Sequence, residues 1–320
     1  MPHNIKKNYA NNHNIDLLYG LNLSDKNSLK IFNDSTRDDD NLKVLKCDKS
    51  GVIVLEYFSI PEEHYEENTH YVQERNKRKY NHADEEIVVN MLNDNIRRFE
   101  SYKELIKGSE ILDFGCERGD FIKLTQKISK RSVGIELNRK NSEYLNSIGI
   151  QCVSKLSELN EDKFDLITLN HVFEHLNDPI NILTELQKYL KDDGTIIIEV
   201  PHARDILLET FNLKSFKNFT FFPEHLILHT RESLDKFTSN SGLYSKSIEG
   251  FQRYPISNHF NWLLNDMPSG HEIFNNLNDD NFHKEYTKFL KGIDQTDTLI
   301  GYFEKNLNIK IPSPNKTTPL

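Results

Sequence analysis

The segment from residue 110 to residue 121 constrains the fold more than any other part of the chain. Its apolar stretch over residues 110–114 predicts a buried strand, and the acid Asp113 stands near the end of that strand. A turn containing Gly115 and Gly119 follows, and a helix is predicted from there. Because glycine has no Cβ, such a turn brings backbone N–H groups and a helix N-terminus close to a ligand.

The residues that follow repeat the alternation of strand and helix. Further buried strands are predicted over residues 132–137, 164–169 and 195–200, with helices near residues 119–130, 139–147, 178–191 and 230–241. The helix at 178–191 has the clearest pattern, with Asp178 as N-cap, Pro179 in the first turn and Gly194 after its end. This alternation predicts an α/β fold with a doubly wound, mostly parallel sheet.

Glu136 makes the prediction of a ligand site at this turn more specific. It ends the second predicted strand, 23 residues after Asp113. An acid at this strand tip can accept hydrogen bonds from both hydroxyls of a ribose. The alternative is an ordinary charge at the end of a strand.

Four motifs resemble those of class I S-adenosylmethionine-dependent methyltransferases. The glycine turn is similar to their D-x-G-x-G-x-G motif rather than to the dinucleotide pattern G-x-G-x-x-G, and Glu136 occupies the acidic tip of strand two. Residues 164–179 resemble the strand-four segment with its "EHL-x-D-P" start, and residues 189–195 resemble the "L-x-x-G-G" entry to strand five. The resemblance implies a Rossmann-like fold and S-adenosyl-L-methionine as cofactor, bound by Asp113, Gly115, Cys116, Gly119, Glu136, Leu137 and Asn170.

Glu117 departs from this pattern, because it replaces the middle glycine. A residue at this place is often held in an unusual backbone conformation, which a side chain resists by roughly 1–2 kcal/mol. Gly115 and Gly119 are therefore expected to carry the close backbone approach.

The spacing His171-x-x-Glu174-His175 also matches the inverted zinc-protease motif H-x-x-E-H. That motif needs both histidines on one helix, whereas His171 falls at the predicted end of a strand. We therefore expect no metal, and expect Glu174 and His175 to cap and orient the loop beside the cofactor.

Histidines after the last predicted strand are the candidates for the acceptor side. Methyl transfer to a hydroxyl requires a base, and histidine is the usual base near neutral pH. The resemblance to sugar methyltransferases, which carry an E-H pair in this loop, makes His225 the first candidate, with Glu224 orienting it and His171 facing the acceptor. His202 and His229 are second candidates, and a purely structural role for His225 is the alternative.

The flanking segments also carry a resemblance, to bacterial methyltransferases of capsule and O-antigen synthesis. The tail shares their "RYP-x-x-NH-x-x-W" and "DTLI" motifs at residues 253–262 and 297–300. The resemblance implies that His202, Arg253, Asn258 and His259 contact the substrate; the alternative is that Arg253 and Asn258 fix the extension onto the core. The predicted hairpin at 42–60 resembles the zinc-binding module of sugar C-methyltransferases, but Cys47 has no partner cysteines, so zinc is not expected.

These patterns divide the chain into four parts. Residues 1–41 are a polar, partly flexible segment, residues 42–107 form a hairpin and helical module, residues 108–250 form the cofactor-binding domain, and residues 251–320 form an extension that contributes to the acceptor site. Within the second part, residues 64–107 are expected to be helical.

Composition limits the partners of the chain. The net charge of −9 argues against nucleic acid, because phosphate binding needs a concentrated basic face, and the basic cluster at residues 75–79 is flanked by acids. No apolar run is long enough to span a membrane, and three scattered cysteines favour a reducing cytoplasm. The oligomeric state stays open.

We expect O-methylation of a sugar hydroxyl or phosphate-like substituent on a precursor of bacterial surface polysaccharide. One alternative is N- or C-methylation of a nucleotide-linked sugar. The other is a non-catalytic, cofactor-binding partner subunit, which the substitution at Glu117 would allow.

Overall fold

A computed structural model describes residues 10–58, 93–160 and 163–306. The described chain divides into two compact units. The first unit holds residues 10–58, 171–180 and 198–303, and the second holds residues 93–160, 163–170, 181–197 and 304–306. The basic cluster at residues 75–79 and most of the predicted helix at 64–107 lie outside the described residues, although residues 93–101 are helical.

The second unit is built on parallel strands. These are β6 (Glu110–Phe114), β7 (Arg131–Ile135), β8 (Cys152–Val153), β9 (Phe164–Asn170) and the first part of β10 (Leu190–Pro201), in the order β10-β9-β6-β7-β8. Strand β6 pairs in parallel with β7 and β9, and β7 pairs in parallel with β8. The connecting segments contain helices at Lys103–Ile106, Asp120–Thr125, Arg139–Ser147 and Pro179–Leu186, and a 3₁₀ turn at Leu156–Leu159. The predicted α/β fold with a mostly parallel sheet is confirmed.

The centre of this sheet explains why its strands are continuous apolar runs. Leu112 on β6 stands opposite Val133 on β7 and Ile167 on β9, and all three side chains are fully buried. Strands covered on both faces need no polar alternation, because neither face meets water. This burial places the polar residues of the unit at the strand ends.

The first unit contains a small antiparallel sheet. Its strands are β2 (Leu29–Asn33), β3 (Val44–Cys47), β4 (Ile53–Leu55) and β11 (Ile227–Leu228), in the order β11-β4-β3-β2. Strands β3 and β4 pair with Val44 opposite Leu55, which confirms the predicted hairpin. A two-stranded ladder joins β1 (Ala10–Asn11) to β5 (Tyr57–Phe58).

Apolar packing connects this sheet to the later part of the first unit. One buried cluster joins hairpin residues with residues from 203–228, namely Leu42, Val44, Ile53, Leu55, Ala203, Leu208, Phe221, Leu226 and Leu228. Cys47 is buried in the hairpin, and its Sγ lies 3.4 Å from the carbonyl oxygen of Leu23. The hairpin is therefore held by an apolar core and hydrogen bonds.

The C-terminal extension is more regular than the sequence indicates. Strand β13 (Thr298–Lys305) lies between β12 (Leu243–Phe251) and β10 in strand order. Leu299 and Phe303 of β13 are fully buried, so the predicted extension over residues 251–320 supplies a core strand. The helices of the first unit are His13–Gly20, Ile206–Glu209, Lys214–Thr220, Arg231–Asn240, Ile256–Asn265, Gly270–Ile273 and Asp280–Gly292, with 3₁₀ turns at Phe173–His175 and Asn275–Leu277.

The helix predicted over residues 178–191 ends earlier, at Leu186. After Leu186 the chain forms hydrogen bonds between residues three apart, as in a 3₁₀ turn. One of them runs from the N–H of Tyr189 to the carbonyl of Leu186 (2.9 Å). The carbonyl of Tyr189 then accepts from the N–H of Phe164 (2.8 Å), so the chain joins the sheet before Gly194. Among the described residues, no helix is both long and apolar enough to cross a bilayer.

Candidate active site

The glycine turn after β6 adopts the conformation that its glycines permit. Gly115 and Gly119 have φ angles of +76° and +72°, in the left-handed region. A Cβ on Gly119 would also lie 2.3 Å from Cδ2 of Leu145. Gly119 is therefore required both by its backbone angle and by the packing beneath the turn.

Glu117, which replaces the middle glycine, lies in the left-handed region as well, with φ +51°. The unusual conformation expected from the sequence is confirmed. The side chain is exposed, and its backbone N–H donates to Oε2 of Glu136 at 2.8 Å. The strained residue thus points a backbone donor at the acid on the neighbouring strand.

Glu136 lies directly after β7 and is fixed by two backbone donors. The N–H of Asn138 donates to its Oε1 at 2.6 Å, in addition to the donor from Glu117. Burial raises the pKa of Glu136 above its ordinary value, and the two backbone hydrogen bonds oppose that rise. The carboxylate is held in one orientation, and each oxygen has a further lone pair for a ligand hydroxyl.

Asp113 ties the ends of two neighbouring strands together. Its Oδ1 accepts from Thr168 Oγ1 at 2.7 Å and from Asn170 Nδ2 at 3.3 Å, both on β9. Burial raises the pKa of Asp113 to about 6, against the hydrogen bond from Thr168. Oδ1 of Asn170 is itself buried and has no partner among the described residues, so the amide is poised to accept a hydrogen bond.

Two of the predicted cofactor residues differ in exposure. The side chain of Cys116 is buried, and its Sγ lies 3.9 Å from Sγ of Cys152. The contact with Cys152 and burial both raise the pKa of the Cys116 thiol. Leu137 is 46% exposed and offers an apolar surface beside Glu136.

The first unit contains a separate cluster of buried carboxylates and histidines. His171 lies between two fully buried acids: Nδ1 donates to Glu174 Oε1, and Nε2 faces Glu199 Oε1, each at 3.2 Å. Burial alone would lower the pKa of His171, but the two carboxylates outweigh it and hold the pKa above its ordinary value. Both ring nitrogens of His171 face carboxylates, which favour its protonated form.

Glu174 is the centre of this cluster. Its Oε1 also lies 4.0 Å from Nε2 of His175 and 4.0 Å from Nε2 of His225. Burial alone would raise the pKa of Glu174, but the hydrogen bond from His171 and the charges of the nearby imidazoles bring it down to about 2. The carbonyl of Glu174 accepts from the N–H of Leu226 at 2.9 Å, which holds the His225 loop against it.

His225 is the most buried of the three imidazoles in the cluster, with 14% of its side chain exposed. Its ring packs on Phe222 at 3.9 Å and edge-on against His175 at 4.8 Å between centroids. Burial, and then the neighbouring His175, lower the pKa of His225 well below its ordinary value. His225 is therefore neutral near pH 7. The guanidinium of Arg37 lies over the ring of Phe222, 4.6 Å from its centroid.

A family described as "Methyltransferase domain" matches residues 70–246 of the chain. The chain belongs to this family. It is an S-adenosylmethionine-dependent methyltransferase. An uncharacterized protein of Methanocaldococcus jannaschii is 28% identical over 52% of this chain and 71% of that protein. A ubiquinone biosynthesis O-methyltransferase of Actinobacillus pleuropneumoniae is 24% identical over 50% of this chain and 76% of that enzyme.

Among solved structures, a SAM-dependent methyltransferase from Archaeoglobus fulgidus is similar, with a TM-score of 0.46 and 20% identity. The alignment covers 65% of this chain and 92% of that one.

The second unit of the methyltransferase has the donor set that the cofactor needs. Glu136 presents an oriented carboxylate for ribose hydroxyls, and the orphaned, buried Oδ1 of Asn170 is an acceptor for an amine or a hydroxyl. Gly115 and Gly119 keep Cβ atoms out of the turn. These residues fit S-adenosyl-L-methionine, with Asp113 holding the strand ends rather than offering a free carboxylate.

The four predicted substrate residues do not form one site surface. His202 is buried with Nδ1 2.9 Å from the carbonyl of Thr296, and its pKa is lowered to about 4 by burial. His259 is buried against the hydroxyl of Tyr286 at 2.6 Å. Such contacts favour structural roles for these two histidines.

The other two predicted substrate residues, Asn258 and Arg253, make contacts that hold the extension in place. Oδ1 of Asn258 accepts from the N–H of Gly270 at 3.2 Å. The backbone N–H of Arg253 donates to Asp297 Oδ2 at 2.9 Å, while the guanidinium is half-buried and lies 5.4 Å from the ring of Tyr254. Both contacts agree with the alternative that these residues position the extension.

Glu174 and Glu199 are the centres of charge in this cluster, whereas from the sequence Glu174 was expected to orient a loop and Glu199 was assigned no role. The carboxylate that the structure brings to His225 is Glu174, and the side chain of Glu224 is buried. His229, a second candidate for the base, is buried beside Ser233 and Phe173, and burial lowers its pKa to about 3. The sequence carries one signal for Glu199, which is an acid near the end of an otherwise apolar predicted strand.

Proposed function

We propose that this methyltransferase methylates a hydroxyl group of a small-molecule precursor of bacterial surface polysaccharide. The observation that carries O-methylation is the neutral imidazole of His225 beside the buried carboxylate of Glu174. A hydroxyl must lose its proton as it is methylated, and a histidine with an adjacent carboxylate can accept that proton. The name of the A. pleuropneumoniae relative, an O-methyltransferase, supports the same reaction type.

The cofactor supplies an electrophilic methyl group on a sulfonium. The remaining tasks belong to the chain: it must orient the acceptor oxygen, exclude water and remove a proton. Asn170 ends β9 and is followed at once by His171 in the chain, so one continuous segment carries both a cofactor residue and a member of the histidine cluster. We assign proton removal to His225, with the buried charge of Glu174, 4.0 Å away, to stabilise the imidazolium that forms, and Glu224 as an additional acid of the same loop.

The class of acceptor is supported by the sequence of the extension. The motifs at residues 253–262 and 297–300 resemble those of capsule and O-antigen methyltransferases. A sugar hydroxyl or a phosphate-like substituent suits the polar cluster around His171, because hydroxyl and phosphate oxygens bind by directional hydrogen bonds. We also propose a cytoplasmic location, where the precursors of such polymers would be modified and where free thiols such as Cys47 persist.

Incubation with candidate nucleotide-linked sugars, followed by mass detection of a gain of one methyl group, tests the acceptor. Fragmentation of the product and the NMR chemical shift of its new methyl group then separate an O-methyl product from the N- or C-methyl alternative. A methyl group found on nitrogen or carbon contradicts O-methylation.

His225→Ala tests the base. We expect cofactor affinity to stay unchanged and turnover to fall by roughly 10²–10⁴. Glu224→Ala is the matched variant of the neighbouring acid, and a larger loss there than in Glu174→Gln would return the orienting role to Glu224. An undiminished rate in His225→Ala would remove His225 as base.

A further inference from the structure

The cluster around Glu174 has more converging donors than its hydrogen bonds use. Nε2 of His175 and Nε2 of His225 both face Oε1 of Glu174, each at 4.0 Å. That separation is too long for a hydrogen bond, whose heavy atoms lie within about 3.2 Å. Two imidazole nitrogens therefore converge on one carboxylate oxygen without bonding to it.

Other polar atoms of the same cluster are buried without partners. Among the described residues, Oε2 of Glu174 and Nδ1 of His175 accept and donate no hydrogen bond. Buried polar groups are ordinarily satisfied, and each exception calls for a missing ligand, ion or water. An ion held by the converging atoms would account for their convergence and would find a second oxygen in Oε2 of Glu174, whereas Nδ1 of His175 faces away from an ion held by Nε2.

We propose that Glu174, His175 and His225 bind a divalent transition-metal ion. Their three ligand atoms lie within 4.8 Å of one another. Ligands around a tetrahedral zinc ion stand about 3.4 Å apart, as follows from metal–ligand bonds of about 2.1 Å. To close around such an ion, the 4.0 Å gaps between Glu174 and the two histidines must shorten by about 0.6 Å, and the longest separation, at most 4.8 Å, by up to about 1.4 Å.

The donor set determines which ion fits. Two imidazoles and one carboxylate suit zinc and its neighbours in the first transition row, whereas magnesium prefers oxygen ligands. Three protein ligands leave a position open for an exogenous oxygen, which is the arrangement of catalytic rather than structural zinc sites.

His171 supports the site from outside. It donates to Oε1 of Glu174 and contacts Glu199 with its other nitrogen, so it orients the central carboxylate and brings a second buried acid to the cluster. Hydrogen bonds of this kind, one shell behind the ligands, fix the orientation of metal-binding side chains. The residues differ from the inverted zinc-protease arrangement, because His171 has φ +54° and precedes the 3₁₀ turn Phe173–His175 instead of sharing a helix with His175.

The ion would change how the acceptor is activated. A hydroxyl bound at the open position loses its proton to solvent more readily, because coordination lowers its pKa, and the oxygen then attacks the methyl carbon while the electron pair of the breaking C–S bond stays on sulfur. His225 would then be a ligand instead of the base, so these are alternative roles for His225, and the zinc titration below decides between them. Only this use of the site rests on the proposed function; metal binding itself does not.

Metal binding by the full chain tests the proposal without any acceptor. After dialysis against a chelator, titration calorimetry with Zn²⁺ and with Mg²⁺ measures affinity, and Co²⁺ reports ligand geometry through its visible absorption. We expect one equivalent of Zn²⁺, weaker Mg²⁺, and at least about ten-fold weaker Zn²⁺ binding in His175→Ala and in His225→Ala. His259→Ala removes a buried histidine of the same unit outside the cluster, and its zinc affinity should equal that of the parent.

Circular dichroism of each variant separates loss of a ligand from loss of the fold, and His225→Gln replaces any variant that does not fold. Absence of stoichiometric Zn²⁺ binding, or equal affinity in the parent and both cluster variants, overturns the proposal. Tighter binding of Mg²⁺ than of Zn²⁺ overturns the choice of ion. A protein that binds Zn²⁺ as expected but methylates no hydroxyl acceptor would contradict the proposed function and leave the metal site standing.

Discussion

The backbone N–H of Glu117 donates to the carboxylate of Glu136 across 2.8 Å. This contact joins the two motifs that define the cofactor half of the chain, since Glu117 lies in the glycine turn and Glu136 lies at the tip of the next strand. It also means that the residue which departs from the glycine pattern makes a specific contribution through its backbone. The side chain of Glu117 takes no part in the contact.

Glu136→Ala should weaken binding of S-adenosyl-L-methionine by about 1–3 kcal/mol, because charge-assisted hydrogen bonds to the ribose are lost. The substitution also removes the acceptor for the N–H groups of Glu117 and Asn138. Titration calorimetry measures the change. Glu143→Ala, on the exposed side of the following helix, is the control and should bind as the parent does. A loss of only a few tenths of a kcal/mol in Glu136→Ala would exclude it as the ribose ligand.

Glu117→Gly should raise the free energy of unfolding by up to about 1 kcal/mol. The left-handed conformation costs a residue with a Cβ about 1–2 kcal/mol, and the greater freedom of glycine in the unfolded chain returns part of that gain. Arg118→Gly, at an exposed neighbour whose φ is not positive, should instead destabilise by about 0.5–1 kcal/mol. Denaturant unfolding compares the two, and equal effects would contradict strain at Glu117.

The sheet could be predicted because the signals of its strands are local. A short apolar run such as that of β6, followed by a glycine turn, indicates a buried strand. An acid directly after such a run, such as Glu136, is expected at the end of the strand, outside the apolar interior. The early end of the helix at Leu186 could not be predicted, because the apolar stripe of that helix continues to Leu190. In the folded chain the carbonyl of Tyr189 accepts from the N–H of Phe164, on a neighbouring strand, and is therefore part of the sheet and not of the helix.

The histidine cluster was only partly predictable. His171 and Glu174 are close in sequence, but Glu199 and His225 come from two later segments and meet them only in the folded chain. The resemblance to sugar methyltransferases indicated the loop histidine as a candidate, yet it paired His225 with the adjacent Glu224. The acid that lies 4.0 Å from its Nε2 is 51 residues earlier, and no local pattern carries that information.

Stability should depend on pH through Asp113. Its pKa is raised to about 6 in the folded chain from an ordinary value of 3.8, so the protonated form is the one that the fold favours. The contribution of Asp113 is therefore full below about pH 4 and is lost as the pH rises through about 6. Asp113→Asn keeps an acceptor for Thr168 without the charge, so the variant should gain stability relative to the parent between pH 4 and pH 7.

Thermal unfolding of both proteins across this pH range measures the difference. Thr168→Val removes the donor that holds the pKa of Asp113 down, so the transition in that variant should move to higher pH. A difference between parent and Asp113→Asn that does not change with pH would contradict the burial of a titrating carboxyl.

Asn258→Ala should lower the free energy of unfolding by about 1–3 kcal/mol, because it leaves the buried N–H of Gly270 without an acceptor. The backbone at Gly270 is tightly packed, since an added Cβ would lie 2.1 Å from the carbonyl oxygen of Ser257. Asn265→Ala, on the exposed end of the same helix, should change stability by less than about 0.5 kcal/mol. Denaturant unfolding gives both values, and the KM for the acceptor is measured on the folded variants. An unchanged stability with a raised KM in Asn258→Ala would show that Asn258 binds the acceptor rather than positioning the extension.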